Sequence, residues 1–219
     1  YSQTPPVEDA RQNFVGWNSS YTGLPFAEAE LREMVGRTVD RILALKPKAV
    51  MEIGCGTGLI LFNVAPHVQR YDGFDLSRVA IRDLKQKVEQ HGFATPISLS
   101  QGRADELSGT STQAYDTVIV NSVIQHFPSI DYLRRVIDNA VKAVKGPGAV
   151  FIGDIRSLPL LEAFNTSIEL HRAPSSVPVA QLRQRVQRRM KQEKELNVDP
   201  AFFAALGSAF HALINDSCS

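Results

Sequence analysis

Apolar residues follow two rhythms along this chain. From Pro25 they recur at spacings of three and four, at Leu31, Met34, Val35, Val39, Ile42 and Leu43. That spacing predicts an amphipathic helix, which Pro47 stops. From Ala49 the rhythm changes to short unbroken apolar runs. Ala49–Ile53, Tyr71–Asp75, Ile97–Ser100, Thr117–Asn121 and Ala149–Ile152 each predict a buried parallel strand. Helices are expected between them, from Gly58 to about Val68, from Ser77 to about Gln90 and from Asp131 to Lys145. Ser77 is the expected cap of the second and Gly92 its stop, while Gly146–Gly148 reads as a turn. Beyond Asp154 the pattern is helical only: Leu158 to about His171, Val179 to Glu195, and a last helix opened by Asp199–Pro200. No sixth strand is expected before Ser219.

Strands alternating with helices predict an α/β fold, a mostly parallel sheet with helices on both faces. Such sheets take ligands beyond the carboxyl ends of their strands. The functional residues are therefore expected at Ile53–Gly58, Asp75, Gly102–Asp105, Asn121–His126 and Asp154. The chain divides by pattern into an N-terminal segment and helix (1–46), the alternating core (47–156) and a helical C-terminal region (157–219), all within one domain.

Composition narrows the classes. With 24 basic and 23 acidic residues the net charge is only +1, which gives no electrostatic case for nucleic acid or a membrane surface. No apolar run reaches 18 residues, so no span is expected, and the first residues lack the pattern of a signal peptide. Cys55 and Cys218 lie far apart with no metal-ligand spacing, which fits a reducing, cytoplasmic setting without disulfides. The chain starts at Tyr1 without an initiator methionine, and it reads as a domain excised from something longer.

Val50-Met-Glu-Ile-Gly-Cys-Gly-Thr-Gly58 follows a predicted strand and opens a predicted helix. Its glycines, Gly54, Gly56 and Gly58, depart from the Gly-x-Gly-x-x-Gly spacing that seats a pyrophosphate on a helix N-terminus. Glu52, just before them, suits a cationic ligand group such as an ammonium. Asp75 ends the next strand, 23 residues after Glu52, where a carboxylate can accept both hydroxyls of a ribose.

This segment resembles motif I of the class I S-adenosylmethionine-dependent methyltransferases. The resemblance implies a Rossmann-like fold in which Gly54, Gly56 and Gly58 cradle S-adenosylmethionine and release S-adenosylhomocysteine as product. It implies that Asp75, followed by Leu76, holds the ribose. Ala104 and Asp105 would lie beside the adenine, and Asn121 and Ser122 would line the methionine end. Longer stretches are similar to methyltransferase domains embedded in polyketide and non-ribosomal peptide synthases. They are Gly16-Trp-Asn-Ser-Ser-Tyr-Thr-Gly23, Asn121-Ser-Val-Ile-Gln-His-Phe-Pro128, Gly153–Phe164, Gln192–Glu195 and Asp199–Phe203. The departure is the C-terminal strands expected after Asn215. The implied substrate is an intermediate tethered to an acyl or peptidyl carrier protein, with neighbouring synthase domains as further partners. The default state is a monomer, and no metal is required.

The acceptor atom turns on His126, where the nitrogen-methylating pattern usually has Tyr. An α-amino group has a pKa of about 7.7–8 and is largely ready to react, whereas a hydroxyl is about as reluctant to ionise as water, at about 15.7. Transfer to oxygen therefore gains about 10²–10⁴-fold from a general base, and His126 is the expected one, histidine being the side chain ordinarily suited to that role. Glu169 is the expected orienting partner and Asp154 the alternative. The first expectation is methylation of a β-hydroxyl in a polyketide synthase, with His126 as base. The alternatives are N-methylation of an aminoacyl thioester and a non-catalytic methyltransferase-like scaffold. Tyr21 and Trp17 are expected in a lid over cofactor and substrate, with His171 able to stand in for Glu169. The Arg- and Lys-rich stretch from Arg183 to Lys194 is a candidate docking surface for an acidic carrier.

Overall fold

A computed structural model of the chain describes Phe14 and residues 17–106, 114–207 and 213–214. The elements are α1 (Glu28–Ala44), β1 (Ala49–Ile53), α2 (Leu59–Val64), β2 (Arg70–Asp75), α3 (Arg78–His91), β3 (Ile97–Gln101), β4 (Tyr115–Asn121), α4 (Ile130–Ala143), β5 (Val144–Gly153), α5 (Leu161–Arg172), α6 (Val179–Lys191), α7 (Pro200–Gly207) and β6 (Leu213–Ile214).

Every strand pairing is parallel, in the order β3-β2-β1-β4-β5-β6. The chain winds outward from β1 to β3, then returns to lay β4 against the other side of β1. That reversal opens a crevice at the carboxyl ends of β1 and β4, the usual ligand site of such sheets. Period-two alternation splits the strands between two apolar layers. Val50, Tyr71 and Ile119 pack with α1, α2 and α3, while Met51, Ile53, Val118, Val120 and Ile152 pack with α4 and α7. The spacing seen in α1 buries Leu31, Val35, Val39 and Ile42. The Ser77 hydroxyl accepts from Ala80 N at 3.2 Å and α3 stops at Gly92. Ser129 caps α4 in the same way, accepting from Tyr132 N.

Five elements differ from expectation, one of them the helix from Val179, which ends at Lys191 rather than Glu195. The helix after the glycine loop gives way at Ala65 to a 3-10 turn, Ala65–His67, where Pro66 cannot continue the α-helical hydrogen bonds. Gly146–Gly148 is not a free turn, because β5 already pairs at Val144. Tyr115 faces Val144 and Thr117 faces Ala149, so residues between them bulge out of the ladder. The helix expected from Leu158 starts at Leu161, because the preceding residues pair with the later segment: Ser157 bridges Val198, and Leu158 N donates to Val198 O. A sixth strand is present, since Leu213–Ile214 adds to β5 in parallel register. A strand of two residues carries no periodicity to detect. No helix of the described residues is long and apolar enough to cross a membrane. Residues 1–13, Cys218 and the tail after Asn215 lie outside the described residues.

Candidate functional site

The glycine loop closes directly on the carboxyl end of β1. Gly54 N and Cys55 N both donate to Phe74 O, and Gly58 N donates to Cys55 O at 2.8 Å. The three glycines do different work. A Cβ on Gly58 (φ +88°) would lie 2.4 Å from Leu84 Cδ1, so this residue is needed to pack α2 on α3. A Cβ on Gly56 (φ +49°) would meet no atom closer than Gly54 O at 4.0 Å. Gly56 thus fronts open space at the crevice, where a ligand can approach the backbone. Gly54 is packed against Val123, from the loop after β4.

Asp75, at the end of β2, is held by this loop. Its Oδ2 accepts from Gly56 N at 2.9 Å and its Oδ1 from Ser77 N at 2.8 Å. A carboxylate has about four acceptor directions, so capacity remains for two ribose hydroxyls. Leu76, next in sequence, is 70% exposed, a large apolar side chain beside that carboxylate.

Glu52 is only 3% exposed and accepts from the Tyr71 hydroxyl at 2.7 Å. Burial pushes its carboxyl up from 4.5 to about 7, and the Asp75 charge adds to the rise, while the Tyr71 hydrogen bond opposes it. A buried carboxylate with that bias gains from an incoming cation. The Cys55 thiol is pushed well above its usual range, first by burial and then by Glu52 and Asp75, so it stays protonated.

At the far side of the crevice, Asn121 Nδ2 donates to Ser122 Oγ (2.9 Å), which donates to Asp154 Oδ2 (2.7 Å). Ser122 and Asp154 both have φ +54°, an uncommon conformation for residues other than glycine and one often found at functional sites. Buried Asn121 Oδ1 has no partner among the described residues. An orphaned acceptor, a glycine fronting open space and a strand-end carboxylate with spare capacity together fit a nucleoside carrying an amino acid.

Ala104 and Asp105 sit after β3. The Asp105 carboxylate is paired with Arg103 (3.1 Å) and Arg135 (3.1 Å), and Asn139 Nδ2 donates to its main-chain oxygen. Burial pushes its carboxyl up, but hydrogen bonds from Arg103, Arg135 and Tyr132 outweigh this and hold it below the usual range. Asp105 therefore pins the loop after β3 to α4.

His126 closes a 3-10 turn, Ile124–His126, after β4 and is exposed. Among the described residues no side-chain hydrogen bond orients its ring. Glu169, its expected partner, lies 3.8 Å from Arg189 of α6 instead. Asp154, the alternative, takes the Ser122 hydroxyl. The expected His126–Glu169 dyad is thus not assembled, because the α5–α6 contact claims Glu169. Tyr21 sits in a turn docked on α5, its hydroxyl 2.8 Å from Ser167 Oγ and its ring edge-on to His171 and Phe164.

Several partners escaped the sequence reading: Tyr71 on Glu52, Arg135 on Asp105, Arg189 on Glu169, Ser167 and Arg172 on the N-terminal turn. Gln125 did too. Its Nε2 donates to Ser122 O, its main-chain oxygen accepts from Leu196 N, and its buried Oε1 lacks a partner among the described residues. None of these residues carries a local pattern that marks it.

Residues 51–151 match a family described as "Methyltransferase domain". Over 209 residues the chain is 44% identical to chondramide synthase of Chondromyces crocatus, which covers 95% of this chain and 5% of that protein. It is 35% identical over 204 residues to a nonribosomal peptide synthetase of Emericella nidulans, 92% of this chain and 8% of that one. The chain thus spans a small fraction of the relatives it matches. In fold it resembles a magnesium protoporphyrin IX methyltransferase of Synechocystis with bound S-adenosylhomocysteine. The TM-score is 0.57 at 16% identity, covering 83% of this chain and 73% of that one.

Proposed function

We propose that the chain, whose residues 51–151 match a methyltransferase family, is a class I S-adenosylmethionine-dependent methyltransferase domain that methylates the amino nitrogen of an aminoacyl or peptidyl thioester held by a carrier protein within a modular synthase. When bound, the cofactor supplies an electrophilic methyl group on a sulfonium. Gly56 lets the backbone approach that ligand, Asp75 holds the ribose hydroxyls, and Glu52 with Asn121 receives the ammonium end. Asp105 sets the wall beside the base and Leu76 gives it an apolar cover. The working setting is the cytoplasm. Residues 1–46 act as cover, 47–156 as the cofactor core and 157–219 as the substrate side.

The observation that carries nitrogen over oxygen is the state of His126. A base for a hydroxyl needs its second ring nitrogen oriented, and among the described residues no side chain hydrogen-bonds His126, Glu169 lying 3.8 Å from Arg189 instead. An amine near its pKa needs positioning rather than a base. The nonribosomal peptide synthetases among the relatives support the same choice. Transfer to a β-hydroxyl, as in polyketide synthases, is the second reading. It rests on His126 standing beside the crevice and becomes active if Glu169 leaves Arg189 when substrate binds.

The carrier meets α6 by charge. That helix, Val179–Lys191, contains no acidic residue, buries only Val186 and exposes Arg183, Arg188 and Lys191. An acidic carrier surface complements it. The deciding experiment is a mass-spectrometric transfer assay on two carrier-bound substrates, one aminoacyl and one β-hydroxyacyl. A methyl gained only by the aminoacyl carrier supports the reading. A methyl gained only by the hydroxyacyl carrier replaces it with the second. A scaffold without activity would methylate neither and would not bind S-adenosylhomocysteine.

A further inference from the structure

The N-terminal turn is closed by its own backbone. Asn18 bridges Pro25, Ser19 N donates to Leu24 O, and Phe26 N donates to Trp17 O. It leads into α1, which packs on α2, the helix that opens at the glycine loop. On its other side the turn rests on α5, the helix after β5. Residues 17–26 therefore strap the cofactor half of the domain to the substrate half.

Arg172, the last residue of α5, makes the attachment. Its Nε donates to Tyr21 O at 2.9 Å and its Nη2 to Ser20 O at 2.6 Å. Both bonds are charge-assisted and share one planar fork, which fixes direction as well as distance. A third bond accompanies them. Ser167 donates its own proton to Phe164 O at 2.8 Å, so the Tyr21 hydroxyl must donate to Ser167 Oγ. The Tyr21 ring then stands edge-on to Phe164, centroids 6.1 Å apart, while the Arg156 guanidinium lies 5.9 Å from the same Phe164 ring. Arg156 in turn pairs with Glu195, whose neighbour Leu196 donates to Gln125 O. Contacts thus run unbroken from the turn, through α5, to the loop after β4.

We propose that Arg172 is the positioning residue of this strap: its fork on the Ser20 and Tyr21 carbonyls holds Tyr21 closed, and closure retains the bound cofactor. This rests on the reading of Tyr21 as part of the cover over S-adenosylmethionine. Because the fork reads main-chain oxygens, its effect does not depend on the side chains at 20 or 21. It requires the two-pronged donor at 172, which lysine cannot reproduce.

Trp17 is the sole tryptophan of the chain and lies in the strap, so its emission reports docking directly. The test measures Trp17 emission and S-adenosylhomocysteine affinity in the 219-residue chain and its Arg172→Ala and Arg172→Lys variants, with melting temperature as a fold check. KM for S-adenosylmethionine and kcat follow on the same proteins. If loss of the fork leaves about a tenth of the molecules closed, apparent affinity falls about tenfold. The expected result is a shifted Trp17 emission, KM raised in step with the lost affinity and a melting temperature lowered by only about 2–4 °C per kcal/mol of lost strap contact, the core staying folded because Arg172 is exposed. Arg172→Lys should recover only part of the loss. Unchanged emission and unchanged affinity in Arg172→Ala overturn the proposal. Shifted emission with unchanged affinity also overturns it, and shows that the strap is anchored by Arg172 but does not cover the cofactor. Failure of the methyltransferase reading itself would differ from both, because the unaltered chain would then bind no S-adenosylhomocysteine.

Discussion

Replacing Gly56 and Gly58 by alanine separates the two roles that glycines play in this loop. Gly56 has φ +49° and open space where a Cβ would point. Alanine there pays about 1–2 kcal/mol for the left-handed conformation, offset by about 0.4–1 kcal/mol from a stiffer unfolded chain. A net loss of about 1 kcal/mol lowers the melting temperature of a domain this size by about 2–4 °C. Gly58 has φ +88°, and its Cβ would lie 2.4 Å from Leu84 Cδ1 and 3.1 Å from the Phe62 ring. Leu84 and Phe62 are each 1% exposed and have nowhere to move. Overpacking adds about 1–3 kcal/mol to the backbone cost, for about 2–4 kcal/mol in all. Calorimetric melting and S-adenosylhomocysteine titration read the two effects apart. Gly56→Ala should stay folded yet bind at least about tenfold more weakly, a change of about 1.4 kcal/mol. Gly58→Ala should lose stability first. A Gly56→Ala protein that binds like the unaltered chain would refute the assignment of this open space to the cofactor.

Other outcomes follow from the same geometry. Glu52 rises from 4.5 to about 7 on folding, so the folded state holds its proton more tightly than the unfolded chain. Its contribution therefore becomes unfavourable as pH climbs from 4.5 to 7, by about 3 kcal/mol in total. Glu52→Gln should flatten that part of the stability profile of the cofactor-free protein. Binding an ammonium should expel the Glu52 proton, so titrations below pH 7 in buffers of different ionisation enthalpy should show proton release; none would separate Glu52 from the ammonium. Asp75→Ala strands the Gly56 and Ser77 N–H groups and should cost about 1–2 kcal/mol of stability together with nucleoside affinity. His126→Phe and Glu169→Gln should leave aminoacyl methylation within about threefold, below the tenfold or more that loss of a general base costs. A larger drop in both, on a hydroxyacyl substrate, would restore the dyad.

Local pattern carried this chain a long way. Unbroken β-branched and apolar runs mark β1 and β4, because a parallel strand covered on both faces has no wet side. Ser77 and Gly92 announce the ends of α3, since caps act on the backbone next to them. Gly54, Gly56, Gly58 and Asp75 were legible because one turn and one strand end hold them at fixed spacing. β6 and the start of α5 were not, because each is decided by a neighbour far along the chain: β5 recruits Leu213–Ile214, and Val198 captures Ser157–Leu158. The pairing of Glu169 is the sharpest case. Sequence places it on a helix after β5, within plausible reach of His126, but only the packing of α6 on α5 brings Arg189 to it. The same holds for Tyr71 on Glu52 and Arg172 on the N-terminal turn, separated from its contacts by about 150 residues. Spacing records what one element does to its own backbone. Which charges meet across elements depends on how helices and strands stack, and tertiary structure alone decided that here.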